Sequence, residues 1–256
     1  MAKIKPVSHD DRLSVVDHLD ELRSRIVISL LGLGVAFALC GWQNHAILDL
    51  LNEPLPDGQE PITLGPTEPF LTTITIALYA AIVLALPLIL YQIYAFVLPA
   101  FSPAERRVAF PLLLLVPVLF IGGVVFAYFV ILGPAIDFLL GFNADEFNTQ
   151  LRARDYYSFA ALLLAAMGVL FQVPVGVLAV TRLGIVSVAQ LRKNRRYAIL
   201  GMAVVAALLP TIDPVTLLLE MVPLIILYEV SILLAAAFGR PPDEAGDDER
   251  ASTEGP

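Results

Sequence analysis

Apolar residues run in long blocks along this chain, and the stretches between the blocks, together with the two ends, carry nearly all of the charge. A helix needs roughly 20 apolar residues to cross the hydrocarbon of a bilayer. Six blocks reach or approach that length: Ile26–Trp42, Thr73–Leu98, Val108–Ile131, Ser158–Thr181, Tyr197–Leu209 and Val215–Phe238. None shows the ten-residue alternation of a barrel strand, so each predicts a helix. The fold class that follows is an all-α integral membrane protein with six transmembrane helices. Residues 1–25 form an N-terminal cytoplasmic segment, 26–238 the membrane domain, and 239–256 an acidic, Pro/Gly-rich tail of disordered composition.

Lys and Arg set the orientation. Lys3, Lys5, Arg12, Arg23 and Arg25 precede the first block, and none lies between the first and second. Arg106 and Arg107 follow the second. Arg152 and Arg154 follow the third, diluted by Asp145, Glu146 and Asp155. Arg182, Arg192, Lys193, Arg195 and Arg196 follow the fourth, none follows the fifth, and the tail holds Arg240 and Arg250. The alternation fits six spans with both termini in the cytoplasm. The first block is read as a retained span and not a cleaved signal peptide, because about 25 polar and charged residues precede it and no small-x-small site follows.

Two features bear on shape. Pro87, Pro111, Pro117, Pro174 and Pro223 fall in or near spans. Each removes a backbone hydrogen bond, so bent helices and a curved wall are expected. The fifth block is short: 13 residues at 1.5 Å rise cover about 20 Å against roughly 30 Å of hydrocarbon. Local thinning of the bilayer beside spans 5 and 6 is the expected response. The outer loop Gln43–Thr72, rich in Pro, Gly and acid, reads either as a structured cap or as a mobile loop.

Composition adds exclusions. The chain is 58% hydrophobic and 16% charged, against about a quarter charged in soluble domains. A net charge of −8 argues against nucleic acid as a partner. Cys40 is the single cysteine, so no intrachain disulfide forms, and His9, His18 and His45 make no metal-ligand pair at helical spacing. No metal or cofactor is expected, and no nucleophile–base set or phosphate-cradling glycine loop marks an enzyme.

The candidate chemistry lies at the block ends. Val15, Leu19, Leu22 and Ile26 step by 4, 3 and 4, which predicts an amphipathic helix capped at Ser14 with Asp17 behind it and running into the first span. Glu21 on that helix can pair with Arg25 one turn on. In Ser102-Pro-Ala-Glu-Arg-Arg107, Ser102, Pro103 and Glu105 suit the cap, first and third positions of a capping box. A carboxylate there can cap a helix and still offer an oxygen to a ligand. Gln92, Gln172, Asp213, Glu220 and Glu229 are polar residues in or near spans and are candidates for partner docking or interhelical bonds. For Asp213, a role in the turn Pro210–Pro214 is the simpler reading.

Several motifs in order resemble the TatC family of the twin-arginine protein translocase. They are His18-Leu-Asp-Glu-Leu-Arg-Ser-Arg25, Leu90-Tyr-Gln-Ile-Tyr-Ala-Phe96-Val-Leu-Pro99 with Glu105-Arg-Arg107, Phe126-Ala-Tyr128-Phe, Gly168-Val-Leu-Phe-Gln-Val-Pro174, Leu191-Arg-Lys-Asn-Arg-Arg-Tyr197, Pro210–Pro214 and Leu227-Tyr-Glu229. The resemblance implies a signal-peptide receptor in the cytoplasmic membrane that works with the single-span subunits TatA and TatB and is driven by the proton motive force. It makes Glu21 and Glu105 the carboxylates that read paired arginines, with Arg23 and Phe96 beside them. Three positions depart from the family pattern: Gln172 replaces a buried acid, Thr75 a lysine, and Thr211-Ile212-Asp213 a Pro-Pro-Asp turn. A small-solute secondary transporter is the alternative, but no internal repeat is visible. A purely structural membrane subunit would look similar in sequence.

Overall fold

The computed structural model describes residues 9–56, 58–97, 103–146, 149–209 and 213–238, with the side chains of 9–17, 97, 103–114 and 238 set aside. The tail from 239, the segment 1–8, Ser102 and the turn residues 210–212 therefore lie outside the described residues. What is described is helical: α1 (His9–Trp42), α2 (Asn44–Asn52), α3 (Glu68–Val97), α4 (Pro103–Phe126), α5 (Gly133–Gly141), α6 (Ala153–Leu170), α7 (Val173–Arg182), α8 (Val188–Lys193), α9 (Arg195–Ala207) and α10 (Pro214–Phe238). A π-helical turn, Ala127–Leu132, joins α4 to α5. Among the described residues five helical stretches are long and apolar enough to cross a membrane: α1, α3, α4 running on towards α5, α6 with α7, and α10. The sixth expected span corresponds to α9, which has 13 residues.

The helices pack mainly in a row. α1 lies along α3; α3 touches α4 and α6; α4 and α6 pair; α7 packs on α10, and α10 carries α9. The two ends of the row are therefore α1 and α9. Small residues set the closest seams, as expected where lipid competes with side chains for apolar contact. Ala36 and Cys40 of α1 bury against Ala77, Ala81 and Ala85 of α3, all at four-residue spacing. Gly123 of α4 meets α6 so closely that a Cβ would stand 2.6 Å from the Met167 carbonyl oxygen. The larger core cluster gathers Ile131, Leu132, Ile136, Tyr156, Leu163 and Met167 from the π turn, α5 and α6.

Proline shapes the helices in two observed ways. Pro134 has no N–H, and its ring crowds the carbonyl of Val130, which lies within the π-helical turn just before it. The third span was expected to stop at Ile131; the helical run instead continues to Gly141 through that turn. Pro174 marks the break between α6 and α7, where the Gln172 N–H bonds the Val169 carbonyl at 2.9 Å. The Gly168 carbonyl so released receives the Gln172 side-chain amide at 3.4 Å. Pro87 and Pro223 lie inside continuous helices. At the N-terminus α1 already runs from His9, so Ser14 sits inside a helix and does not cap one.

The loop after α1 is a structured cap. The last carbonyls of a helix lack intrahelical partners, and three tyrosines attend to the end of α2. Tyr128 donates to the Leu50 carbonyl at 2.7 Å and to Glu53 at 3.1 Å. Tyr156 donates to the Leu51 carbonyl, and Tyr157 donates to Asn52 Oδ1 at 2.8 Å. A parallel bridge between Ile62 and Arg152 holds the rest of the loop to the start of α6.

Candidate functional site

The end of the α1–α3 seam near residue 21 brings together four expected residues. Glu21 and Arg25 are one helical turn apart on α1, so the pair forms locally. Arg25 donates Nε–H and Nη2–H to Glu21 Oε1 at 3.0 and 2.6 Å. The other side of the guanidinium reaches α3: Nη1 donates to Gln92 Oε1 at 3.0 Å, and Nη2 to the Ala95 carbonyl at 3.3 Å. Arg25 thus staples the two helices, and its planar fork suits acceptors on both sides. Its guanidinium holds the Glu21 carboxyl below the ordinary carboxylate value, and His18, 3.5 Å from Oε2, acts in the same direction.

Phe96 lies beside this pair. Its ring stacks on His18 with centroids 4.2 Å apart and planes 11° from parallel. Below it a groove of about 510 Å³ runs between the helices, lined by Leu22, Ile26, Leu30 and Leu33 of α1 and Ile89 and Ile93 of α3. The site is therefore a carboxylate and an aromatic ring at the mouth of an apolar trough. Arg23 is exposed on the same helix. Glu105 belongs to the first turn of α4, which begins at Pro103 as the capping-box reading requires; its side chain lies outside the described residues.

The remaining expected residues lie elsewhere, each with a structural partner. Gln172 is buried and donates Nε2–H to the Val116 carbonyl of α4 at 3.2 Å, an interhelical amide bond of the kind expected. Asp213 caps α10: its Oδ1 accepts the Thr216 N–H at 2.8 Å, with Pro214 as the first helical residue. Glu229 accepts from Arg195 Nη2 at 2.8 Å, tying α10 to the start of α9. Glu220 is fully buried on α10. Sequence reasoning missed the bridging role of Arg25. The i,i+4 spacing signalled its bond to Glu21, but no local pattern links Arg25 to Gln92, 67 residues away.

An all-helical, multi-pass membrane protein with a polar mouth on an interhelical groove is the class these observations define. The family model for "Sec-independent protein translocase protein (TatC)" matches residues 17–223. The TatC protein of Desulforapulum autotrophicum is 35% identical over 95% of this chain and 91% of its own length. That of Carboxydothermus hydrogenoformans is 35% identical over 93% and 98%. A chloroplastic TATC of Pisum sativum is 34% identical over 86% of this chain and 63% of its own. The crystal structure of a twin-arginine translocase receptor, TatC, superposes with a TM-score of 0.75 at 35% identity, covering 88% of this chain and all of that one. The chain belongs to the TatC family, and its role is that of a Sec-independent protein translocase subunit. The small-solute transporter alternative finds no support among these relatives.

Proposed function

We propose that the chain is the receptor subunit that binds twin-arginine signal peptides of folded precursor proteins at the α1–α3 groove. The observation that carries this reading is the Glu21 carboxylate holding a guanidinium at the mouth of an apolar trough. A signal peptide has a basic segment followed by 7–15 apolar residues, and the mouth and trough match that order. An incoming arginine takes the place of Arg25 on Glu21, while Arg25 keeps its bonds to Gln92 and the Ala95 carbonyl. Glu105 receives the second guanidinium, Phe96 packs against the peptide, and Arg23 lines its path. Bidentate pairing favours arginine over lysine.

The same proposal includes six spans with both termini in the cytoplasm and α9 as the short fifth, in the cytoplasmic membrane of a bacterial cell. The charge alternation supports it, as does the bacterial source of relatives at 35% identity. The division into an N-terminal segment 1–25, a membrane domain 26–238 and a tail 239–256 goes with it. TatA and TatB are the proposed single-span partners in a hetero-oligomer energised by the proton motive force. Gln172, Asp213 and Glu229 serve partner docking only through the helices they hold in place. Bilayer thinning beside α9 and α10 is tested by lipid order around the purified protein, and an undisturbed bilayer removes that part. The receptor reading is tested by photocrosslinking from positions 22 and 93, which line the trough, to a twin-arginine precursor and a twin-lysine control. Strong labelling of the first alone is expected; equal labelling of both, or of neither, refutes it.

A further inference from the structure

At the opposite end of the bundle, the first turns of α3 and α6 enclose a second cavity of about 430 Å³, lined by Thr67, Glu68, Thr72, Thr75, Arg152 and Arg154, among others. On either side of Arg152 in sequence, the Ile62 N–H donates to the Leu151 carbonyl and the Ala153 N–H to the Ile62 carbonyl, both at 2.8 Å. Glu68 is fully engaged: Oε1 accepts from Arg152 Nε at 2.7 Å and Oε2 from the Leu64 N–H at 2.8 Å. One arginine therefore cancels the one carboxylate. Arg154 is exposed and makes no ion pair among the described residues, so the cavity keeps a net positive charge.

Thr72 supplies an independent sign of a ligand. It is 6% exposed, and its hydroxyl has no hydrogen-bond partner. The neighbouring Thr73 and Thr75 hydroxyls each bond the carbonyl one turn back, at 2.8 Å. Thr72 lines the cavity, and threonine on a helix has two χ1 wells open to its hydroxyl. An unmet buried hydroxyl is costly, and an acceptor oxygen in the cavity removes that cost. Away from the cavity the surface turns apolar. Leu71 lines the edge, and Ile74 and Leu78 follow on α3, each about two-fifths exposed.

We propose that this cavity holds the phosphate of an anionic glycerophospholipid. Arg154 and the Thr72 hydroxyl contact the phosphate, Glu68 positions Arg152, and the acyl chains lie along Leu71, Ile74 and Leu78. A free phosphate shares the headgroup chemistry but has no use for the apolar stripe. The inference needs only that the helices cross a membrane; it is independent of signal-peptide binding and of which end faces the cytoplasm.

The test uses the full chain in detergent micelles, with native mass spectrometry after adding phosphatidylglycerol, phosphatidylcholine or inorganic phosphate. One phosphatidylglycerol is expected to stay bound, with phosphatidylcholine weaker and inorganic phosphate not competing at the same concentration. Arg154→Gln and Thr72→Val should each lower phosphatidylglycerol occupancy several-fold, while Arg192→Gln at the other end leaves it unchanged. Melting curves without lipid separate lost binding from lost folding. If Thr72→Val unfolds the protein, Arg154→Gln, at an exposed position, decides alone. Unchanged occupancy in Arg154→Gln overturns the site, and displacement by equal inorganic phosphate overturns the lipid assignment.

Discussion

Replacing Gly123 by alanine puts the α4–α6 seam under direct test. The new Cβ would stand 2.6 Å from the Met167 carbonyl oxygen, 2.8 Å from Phe171 Cγ and 2.9 Å from Gly168 Cα. The first of these is about 0.8 Å short of ordinary van der Waals contact. Two of the three atoms are backbone, so no side-chain rotation relieves them and the helices must separate. Overpacking of this kind costs about 1–3 kcal/mol. Backbone atoms that cannot rotate away put the cost in the upper part of that range, and alanine recovers about 1 kcal/mol of helix propensity over glycine, which leaves a net loss of about 1–2 kcal/mol. Gly32→Ala is the matched control. There the Cβ would crowd Leu88 Cδ2, but that atom is the far end of a partly exposed, rotatable side chain. A net change near zero is expected, because the propensity gain offsets a rotamer change of about 1 kcal/mol. Cys40, buried and the single thiol, makes the assay simple: its labelling by a fluorogenic maleimide during a temperature ramp reports loss of packing. Gly123→Ala should release the thiol at a lower temperature and Gly32→Ala close to the parent. Equal melting of Gly123→Ala and parent would refute the claim that backbone contact sets this seam.

Three further outcomes follow from the geometry. Glu21→Gln should weaken a twin-arginine peptide on the order of ten- to a hundred-fold by anisotropy titration, with a twin-lysine peptide affected much less. Because Arg152 holds the Glu68 carboxyl below its ordinary value, this pair stabilises the fold above that value. The contribution declines as pH falls below 4.5, the ordinary Glu value, and is gone below the depressed folded one. Arg152→Gln should therefore flatten the acid limb of melting temperature against pH, and an unchanged limb counts against the pair. Asp213→Ala should cost about 1 kcal/mol by loss of the α10 cap. Faster amide exchange at Thr216 than in the parent is the readout, and equal exchange there would dismiss the cap.

The apolar blocks made most of the helices legible, because in lipid a long uncharged stretch has few other ways to satisfy its backbone. What escaped depends on pairs distant in sequence. The sequence does not decide between a cap and a mobile loop, because the order comes from Tyr128, Tyr156 and Tyr157 closing the end of α2 from at least 75 residues away. The π-helical turn follows from Pro134, beyond the expected end of the third span, and the helix break from Pro174, within the expected fourth span. Ser14 has the chemistry of a cap, but the preceding residues continue the helix and leave no exposed N-terminus there. At the candidate site, Glu21 with Arg25 was readable from helical spacing. The staple to Gln92 and the stacking of Phe96 on His18 were not, since they exist only once α1 lies along α3.

The packing runs from α1 on α3, through the mutually touching α3, α4 and α6, to α7, α10 and α9, and it bears on how a folded cargo can pass. Helices in direct contact leave no gap between them as wide as a folded domain. A conduit for something as wide as a folded domain needs its far side supplied by other subunits or by displaced lipid. α1 and α9, each packed chiefly on one other long helix among the described residues, keep most of their surface free for such a neighbour.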